Sequence, residues 1–271
     1  MKNAYILKKI PRSRVATFDI FSVGLMKHHI IALLEFDVTL SRRMIRALRK
    51  NGVHVSFNGW IIKVIGSLLK KHPEAAAYRR NKKDLMIFNN INISVIAEKT
   101  IDGEKVPVPM VIEKTHELSA PEITEIIDNA KEQVLTGKDM VINKNSTGLE
   151  RLYYRMPGFI RRGVWKFLLG NPGIAYRNMG NAVVTSIGMM GKINGWFIHR
   201  SVHPVSFGIG SVLKKPVVAD NEIQIREILN MTILADHDVI DGAPMVRFLN
   251  DLTRAIETGE FLGNANDKTG L

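Results

Sequence analysis

The stretch PVSFGIGSVLKKPVVADNEIQIREILNMTILAD, residues 204–236, constrains the fold more than any other part of the chain. β-branched and apolar residues flank the turn formers Asp220-Asn221, so it reads as a strand, a turn and a second long strand. A lone hairpin is marginal in water, so this one calls for further strands and for helices to cover a face. NAVVTSIGMMG (181–191) and IIALLEFDVT (30–39) read as strands, as does IDGEKVPVPMVIE (101–113) after its Asp-Gly turn, with Pro107 and Pro109 pointing to an edge. LMIFNNINISVIAE reads as two short strands around an Asn-Asn turn.

Helical signals alternate with these strands. SAPEITEIIDNAKEQVLTG (119–137) has Ser119 as cap, Pro121 in the first turn, Glu122 three residues after the cap and Gly137 as stop. NGWIIKVIGSLLKKHPE (58–74) reads as a buried helix ended by Pro73. SRRMIRALRKNG takes Ser41 as its cap and Asn51-Gly52 as its stop, and RVATFDIFSVGLMKHH follows Pro11 as a further helix. APMVRFLNDLTRAIE (243–257) closes the order. The alternation predicts one α/β domain over 1–271, a mixed sheet with helices packed on it.

Composition narrows the chemistry. The absence of cysteine excludes disulfides, a thiolate nucleophile and cysteine-ligated metal, and fits a reducing, cytoplasmic setting. The N-terminus lacks a signal-peptide core, and no run reaches the roughly 18 apolar residues of a spanning helix. A net charge of +12 favours anionic partners. Without a basic stripe interleaved with aromatics or a reading motif, nucleic acid is not expected among them.

LADHDVIDGAPMVRFLNDLTRAIE, residues 234–257, places His237, Asp236, Asp241 and Gly242 between a strand and a helix. Taken locally, this is a turn with a polar histidine, in which Asp241-Gly242 supplies the turn chemistry and Asp236 is a turn or surface carboxylate. The local pattern favours that reading, although the same turn can aim a neutral imidazole into a cleft as a proton acceptor. His28, His29, His54, His72, His116, His199 and His203 have no ligand spacing that suggests a metal, and read as surface or cap residues.

DHDVIDGAPMVRFLNDL resembles the DHRxIDGAxxARFLxxL signature of the acyltransferase components of 2-oxoacid dehydrogenase complexes, and the HHxxxDG of chloramphenicol acetyltransferase. INISVIAEKTIDGEKVPVPMVIEK, HELSAPEITEIIDNAKE, VVTSIGMMG and FGIGSVLKKPVVADNEIQIREILNMTILAD follow that family's order, and RVATFDIF (14–21) is similar to the RxxxFxxF of chloramphenicol acetyltransferases. The resemblance implies a chloramphenicol acetyltransferase-like two-layer fold and coenzyme A-dependent acyl transfer. It makes His237 the general base toward a thiol or hydroxyl acceptor and Thr185 the hydroxyl donor to the oxyanion. It gives Asp241 the task of holding the catalytic loop by pairing with Arg14. Gly242 takes the position of a glycine whose backbone conformation a side chain would penalise. It also implies homotrimers, or multiples of trimers, with His237 and Thr185 drawn from neighbouring subunits. No metal is implied.

Departures leave the acceptor open. Asp238 stands where the motif carries arginine, and Ser186 where it carries asparagine. No lipoyl segment is expected ahead of the domain, so either a lipoyl-domain protein would supply dihydrolipoamide or a small molecule would be O- or N-acylated. A non-catalytic trimeric scaffold is the alternative from another class. The insertion at about 140–178, with RLYYRMPGFIRRGVWKFLLG, mixes basic, aromatic and apolar residues. It suits packing on its own domain or a neighbouring subunit, a lid, or peripheral membrane contact through 150–178.

Overall fold

In the computed structural model the described residues are 6, 10, 12–24, 27–101, 104–132, 152–188, 191, 193–219 and 221–263. The Asp102-Gly103 turn, Gly137, the Met189-Met190 pair and Asp220 lie outside them. Among the described residues there are eight strands: β1 (His29–Asp37), β2 (Tyr78–Arg79), β3 (Leu85–Met86), β4 (Ile93–Ile101), β5 (Glu104–Ile112), β6 (Ala182–Ser186), β7 (Val205–Ala219) and β8 (Glu222–Asp236). The helices considered below are α1 (Arg12–Gly24), α2 (Thr39–Lys50), α3 (Phe57–Lys71), α4 (Ala120–Glu132), α5 (Gly158–Gly170), α6 (Pro172–Met179) and α7 (Gly242–Thr258).

The long hairpin forms as read, with Asn221 at φ +65° in its turn. It sits inside a six-stranded sheet in the order β1-β8-β7-β6-β4-β5. β6 runs parallel to both β7 and β4, and the other pairs are antiparallel, so the sheet is mixed. β5, the strand with two prolines, is an edge, where a missing N–H removes no ladder bond. The Asn-Asn stretch departs from expectation. β3 pairs with β2 in a separate hairpin, while β4 enters the large sheet. Asn92 explains the break: its backbone N–H and carbonyl bond to Asn181, and its side chain accepts from Lys114 N–H.

One face of the sheet carries the core. Phe36, Val184, Phe207, Met231 and Ile233 are buried against Trp60, Ile65 and Leu69 of α3 and Phe248 and Leu252 of α7. Helix α3 starts at Ser56, whose hydroxyl accepts from Gly59 N–H at 3.0 Å, and it is buried along most of its length. Gly59 and Gly66 let it approach closely. A Cβ would fall 2.3 Å from Thr124 Oγ1 at the first and 2.4 Å from Thr115 Oγ1 at the second. Ser119 and Glu122 form the expected reciprocal cap of α4, at 2.8 and 3.4 Å. Ser41 does not cap α2. The helix begins two residues earlier, where Thr39 N–H bonds to Asp37, and the buried Ser41 hydroxyl donates to the Val38 carbonyl.

The opposite face is partly open. Ile31 and Leu33 are each 46 % exposed on it, and the irregular segment 193–203 lies across part of it. That segment is tied down by Trp196 Nε1 to Leu34 O, by Asn230 Nδ2 to Gly195 O and by His199 Nε2 to Ser206 Oγ.

The insertion packs on α1. Asp19 is buried and accepts from Arg161 Nε at 2.7 Å and from Tyr153 Oη at 2.9 Å, while Trp165 Nε1 donates to Tyr153 Oη at 2.9 Å. Helix α5 therefore turns its hydrogen-bonding side chains inward. Outward it presents Phe159 and Phe167, 69 % and 62 % exposed. No helix among the described residues is long and apolar enough to cross a membrane.

Candidate active site

Beyond the last paired residue of β8 the chain turns at the sheet margin where β1 and β7 begin. Asp236 N–H donates to the Pro204 carbonyl and His237 N–H to the His28 carbonyl, both at 2.8 Å. Val239 and Ile240 N–H groups fold back on the Asp236 carbonyl at 2.9 and 3.1 Å. The backbone is thus fixed on both sides, while the His237 side chain stays exposed.

Asp236 is neither a turn residue nor a surface one. It is 3 % exposed and pairs with the Lys27 ammonium, because β8 stays regular through it and carries its side chain onto the sheet. Such a partner offsets part of the hydration that a carboxylate loses on burial. Asp238, one residue past the histidine, points elsewhere. Its Oδ2 accepts from Arg79 Nη1 at 2.7 Å, its Oδ1 lies 3.2 Å from His28 Nδ1, and its N–H reaches Asp236 Oδ1 at 3.2 Å.

The remaining residues named from the sequence are scattered. Asp241 is exposed and occupies the N-cap position of α7 without a side-chain cap bond. No ion pair joins it to Arg14 among the described residues. Arg14 is exposed near the start of α1, about 15 Å of helix from its C-terminal end, and α1 leans on α5. The cations that reach the turn are Lys27, on Asp236, and Arg79, on Asp238. Gly242 has no positive φ, and a Cβ there would meet nothing within 4 Å, so no backbone constraint demands glycine.

Thr185 is half-buried on β6, opposite Gly208, which is itself opposite Thr232 of β8. His237 lies five residues further along β8, roughly 16 Å away, and two strand spacings aside, roughly 10 Å. Within one chain the two side chains do not meet.

Three histidines read as surface or cap residues are structural instead. His203 is buried with Nε2 3.0 Å from the Met179 carbonyl, His199 bonds to Ser206, and half-buried His29 Nε2 lies 3.2 Å from the His203 carbonyl. Burial disfavours the imidazolium and holds both His199 and His203 at about 4. A folded-state value below the unfolded 6.5 means the unfolded chain binds more protons between them. Stability is therefore fully present above about pH 6.5 and falls as pH drops toward 4. Urea unfolding across that range should show a midpoint decreasing with acidity, and the decrease should shrink in His203→Gln. A flat profile would mean that His203 does not resist protonation. Among the described residues no group of three or more His, Cys, Asp or Glu stands together as a metal site.

The family model described as 2-oxoacid dehydrogenases acyltransferase (catalytic domain) matches residues 26–143 and 177–263, and passes over 144–176. The chain belongs to this family. It is 24 % identical over 226 residues to the dihydrolipoyllysine-residue acetyltransferase component of the pyruvate dehydrogenase complex of Corynebacterium glutamicum, covering 80 % of this chain and 27 % of that protein. A solved structure of a probable dihydrolipoamide acetyltransferase from Listeria monocytogenes superposes with a TM-score of 0.67 at 21 % identity, over 94 % of this chain and 96 % of that one. The cubic core of a pyruvate dehydrogenase multienzyme complex superposes with a TM-score of 0.64 at 16 % identity, over 96 % and 95 %. The mixed-sheet, two-layer fold is that of these catalytic cores. The chain spans between about a quarter and a half of the length of the curated relatives it matches.

Family motifs could point to His237 and Thr185. Nothing in the sequence ties Lys27 to Asp236, or Arg79 to Asp238, because neither pair has a local spacing.

Proposed function

We propose that the chain is the catalytic domain of a coenzyme A-dependent acyltransferase of the dihydrolipoamide type. The observation that carries the reading is the His237 turn. It holds an exposed imidazole on a backbone fixed to β1, in a chain of the acyltransferase family. His237 takes the proton of a thiol acceptor, and the resulting thiolate attacks the carbonyl carbon of the acyl thioester. Thr185 donates a hydrogen bond to the oxyanion so formed. Collapse expels the coenzyme A thiolate, which recovers the proton from His237.

The separation of His237 and Thr185 along the sheet supports a site shared by two subunits of a homotrimer, with the exposed Ile31 and Leu33 side of β1 toward the neighbour. Larger assemblies of trimers and a lipoyl group on a separate protein follow the same reading. Thiol release from several acyl-CoAs, with free dihydrolipoamide and a lipoyl domain as acceptors, tests it. Release dependent on either acceptor is the expected result. Release only with small-molecule hydroxyls or amines moves the acceptor class, and none at all favours the scaffold.

The outer side of α5 supports a contact with a second body, because Phe159 and Phe167 lie eight residues apart on one side of a helix anchored by the other. We assign that body to a neighbouring subunit. Phe159→Ser with Phe167→Ser should lower the assembly's mass by light scattering while the circular dichroism stays unchanged. An intact assembly that loses binding to anionic vesicles would assign the face to a membrane surface instead.

A further inference from the structure

The cluster around Asp238 has no role in the chemistry above, yet it touches the histidine turn from two sides. Asp238 follows His237 directly, and its carboxylate lies between the Arg79 guanidinium and the His28 imidazole. His28 also accepts the His237 N–H through its carbonyl. One residue of the β1 approach is therefore bonded to both residues 237 and 238.

Arg79 comes from a firmly held element. Its neighbour Tyr78 is buried, donates to the Gly180 carbonyl at 2.5 Å and meets Phe88 edge-on, and Phe88 stacks on Tyr176 at 3.9 Å. β2 is closed against β3, and Arg80 N–H bonds to the Asp84 carbonyl at 3.0 Å. The guanidinium thus projects from a small hairpin braced against the start of β6. Its pair with Asp238 is partly exposed, 53 % and 26 %, so it adds little to folding stability. What it fixes is geometry, since a charge-assisted bond from a rigid element limits where the turn can stand.

We infer that Arg79 is a positioning residue for His237, acting through Asp238. The inference rests on the general-base reading of His237. Asp238 is the letter at which this chain departs from the DHR triplet, and a guanidinium still stands beside the histidine turn. Here it arrives from β2, with a carboxylate in the turn to receive it. The polarity of the contact is therefore reversible in principle: an arginine at 238 could be received by an aspartate at 79.

The test is a charge exchange. Arg79→Gln and Asp238→Asn should each lower kcat about tenfold with KM for the acyl donor changed less than about threefold, since small misplacements of a reacting group are expensive. Arg79→Asp combined with Asp238→Arg should recover most of the loss, a coupling that independent residues would not show. A loss confined to KM would make Arg79 a substrate contact. A double variant no better than the worse single one would overturn positioning. The His237 ring Cε1–H resonance, assigned with His237→Gln, supplies a second readout that needs no turnover. It should shift or broaden in Arg79→Gln and return in the exchanged pair. If transfer is never seen but this resonance behaves as expected, the function assigned to His237 fails while the positioning contact stands. An unperturbed resonance in Arg79→Gln overturns the positioning itself.

Discussion

His237→Ala is expected to lower acyl transfer by a factor of about 10²–10⁴, the contribution of a positioned general base. The fold and the assembly should be unaffected. The turn is held by backbone bonds from residues 236, 237, 239 and 240, and the imidazole itself is exposed with no hydrogen-bond partner among the described residues. Removing it leaves no cavity and orphans no buried group. Steady-state rates with a saturating acyl donor, alongside light scattering and thermal melting, check both halves of the expectation. Turnover near the native rate would remove His237 from the mechanism. A variant that unfolds would instead reveal a structural role that its exposure argues against.

Thr185→Ala should lower kcat by a factor of about 10²–10³, as expected for loss of one oxyanion donor, with KM changed little. The more searching form of the experiment mixes subunits. His237 and Thr185 lie far apart within one chain, so each site would join the base of one subunit to the hydroxyl of the next. Co-assembly of His237→Ala and Thr185→Ala subunits then creates intact sites from two inactive parents. Random mixing in equal amounts gives hybrids in about three quarters of trimers with one good site in three, hence about a quarter of native activity. If both groups came from a single chain, no mixture would regain activity.

The sheet and most helices were legible because their signals are local. The cap at Ser119, the turn at Asn221 and the paired prolines of β5 each state their role within a few residues. Ser41 misled because a serine two residues inside a helix can donate back to the chain as readily as it can cap, and only the Asp37–Thr39 bond decides where α2 starts. The strand partner of β3 was not legible, since periodicity gives the faces of a strand and not its neighbour. At the site, motif order singled out His237 and Thr185. Asp236 was misjudged because its surroundings are built by Lys27, more than two hundred residues earlier. Gly242 and Arg14 carry the opposite lesson: a matching letter does not reproduce the local geometry that gave it meaning.

The long hairpin outruns its neighbours. β6 follows β7 only as far as Ile209, and β1 follows β8 only from Ile228 onward. Over 213–219 and 222–226 the two strands form a ribbon, paired with each other and with no third strand among the described residues, and Val218, Ile223 and Ile225 are 76 %, 79 % and 75 % exposed there. Open margins lined with β-branched side chains recruit whatever strand arrives first. Lys214, Lys215 and Arg226, interleaved along the ribbon, set charge between these apolar side chains, a usual guard against edge-to-edge pairing. Low salt, which leaves the chain's net charge of +12 unscreened, is therefore the condition in which two such ribbons should meet least often.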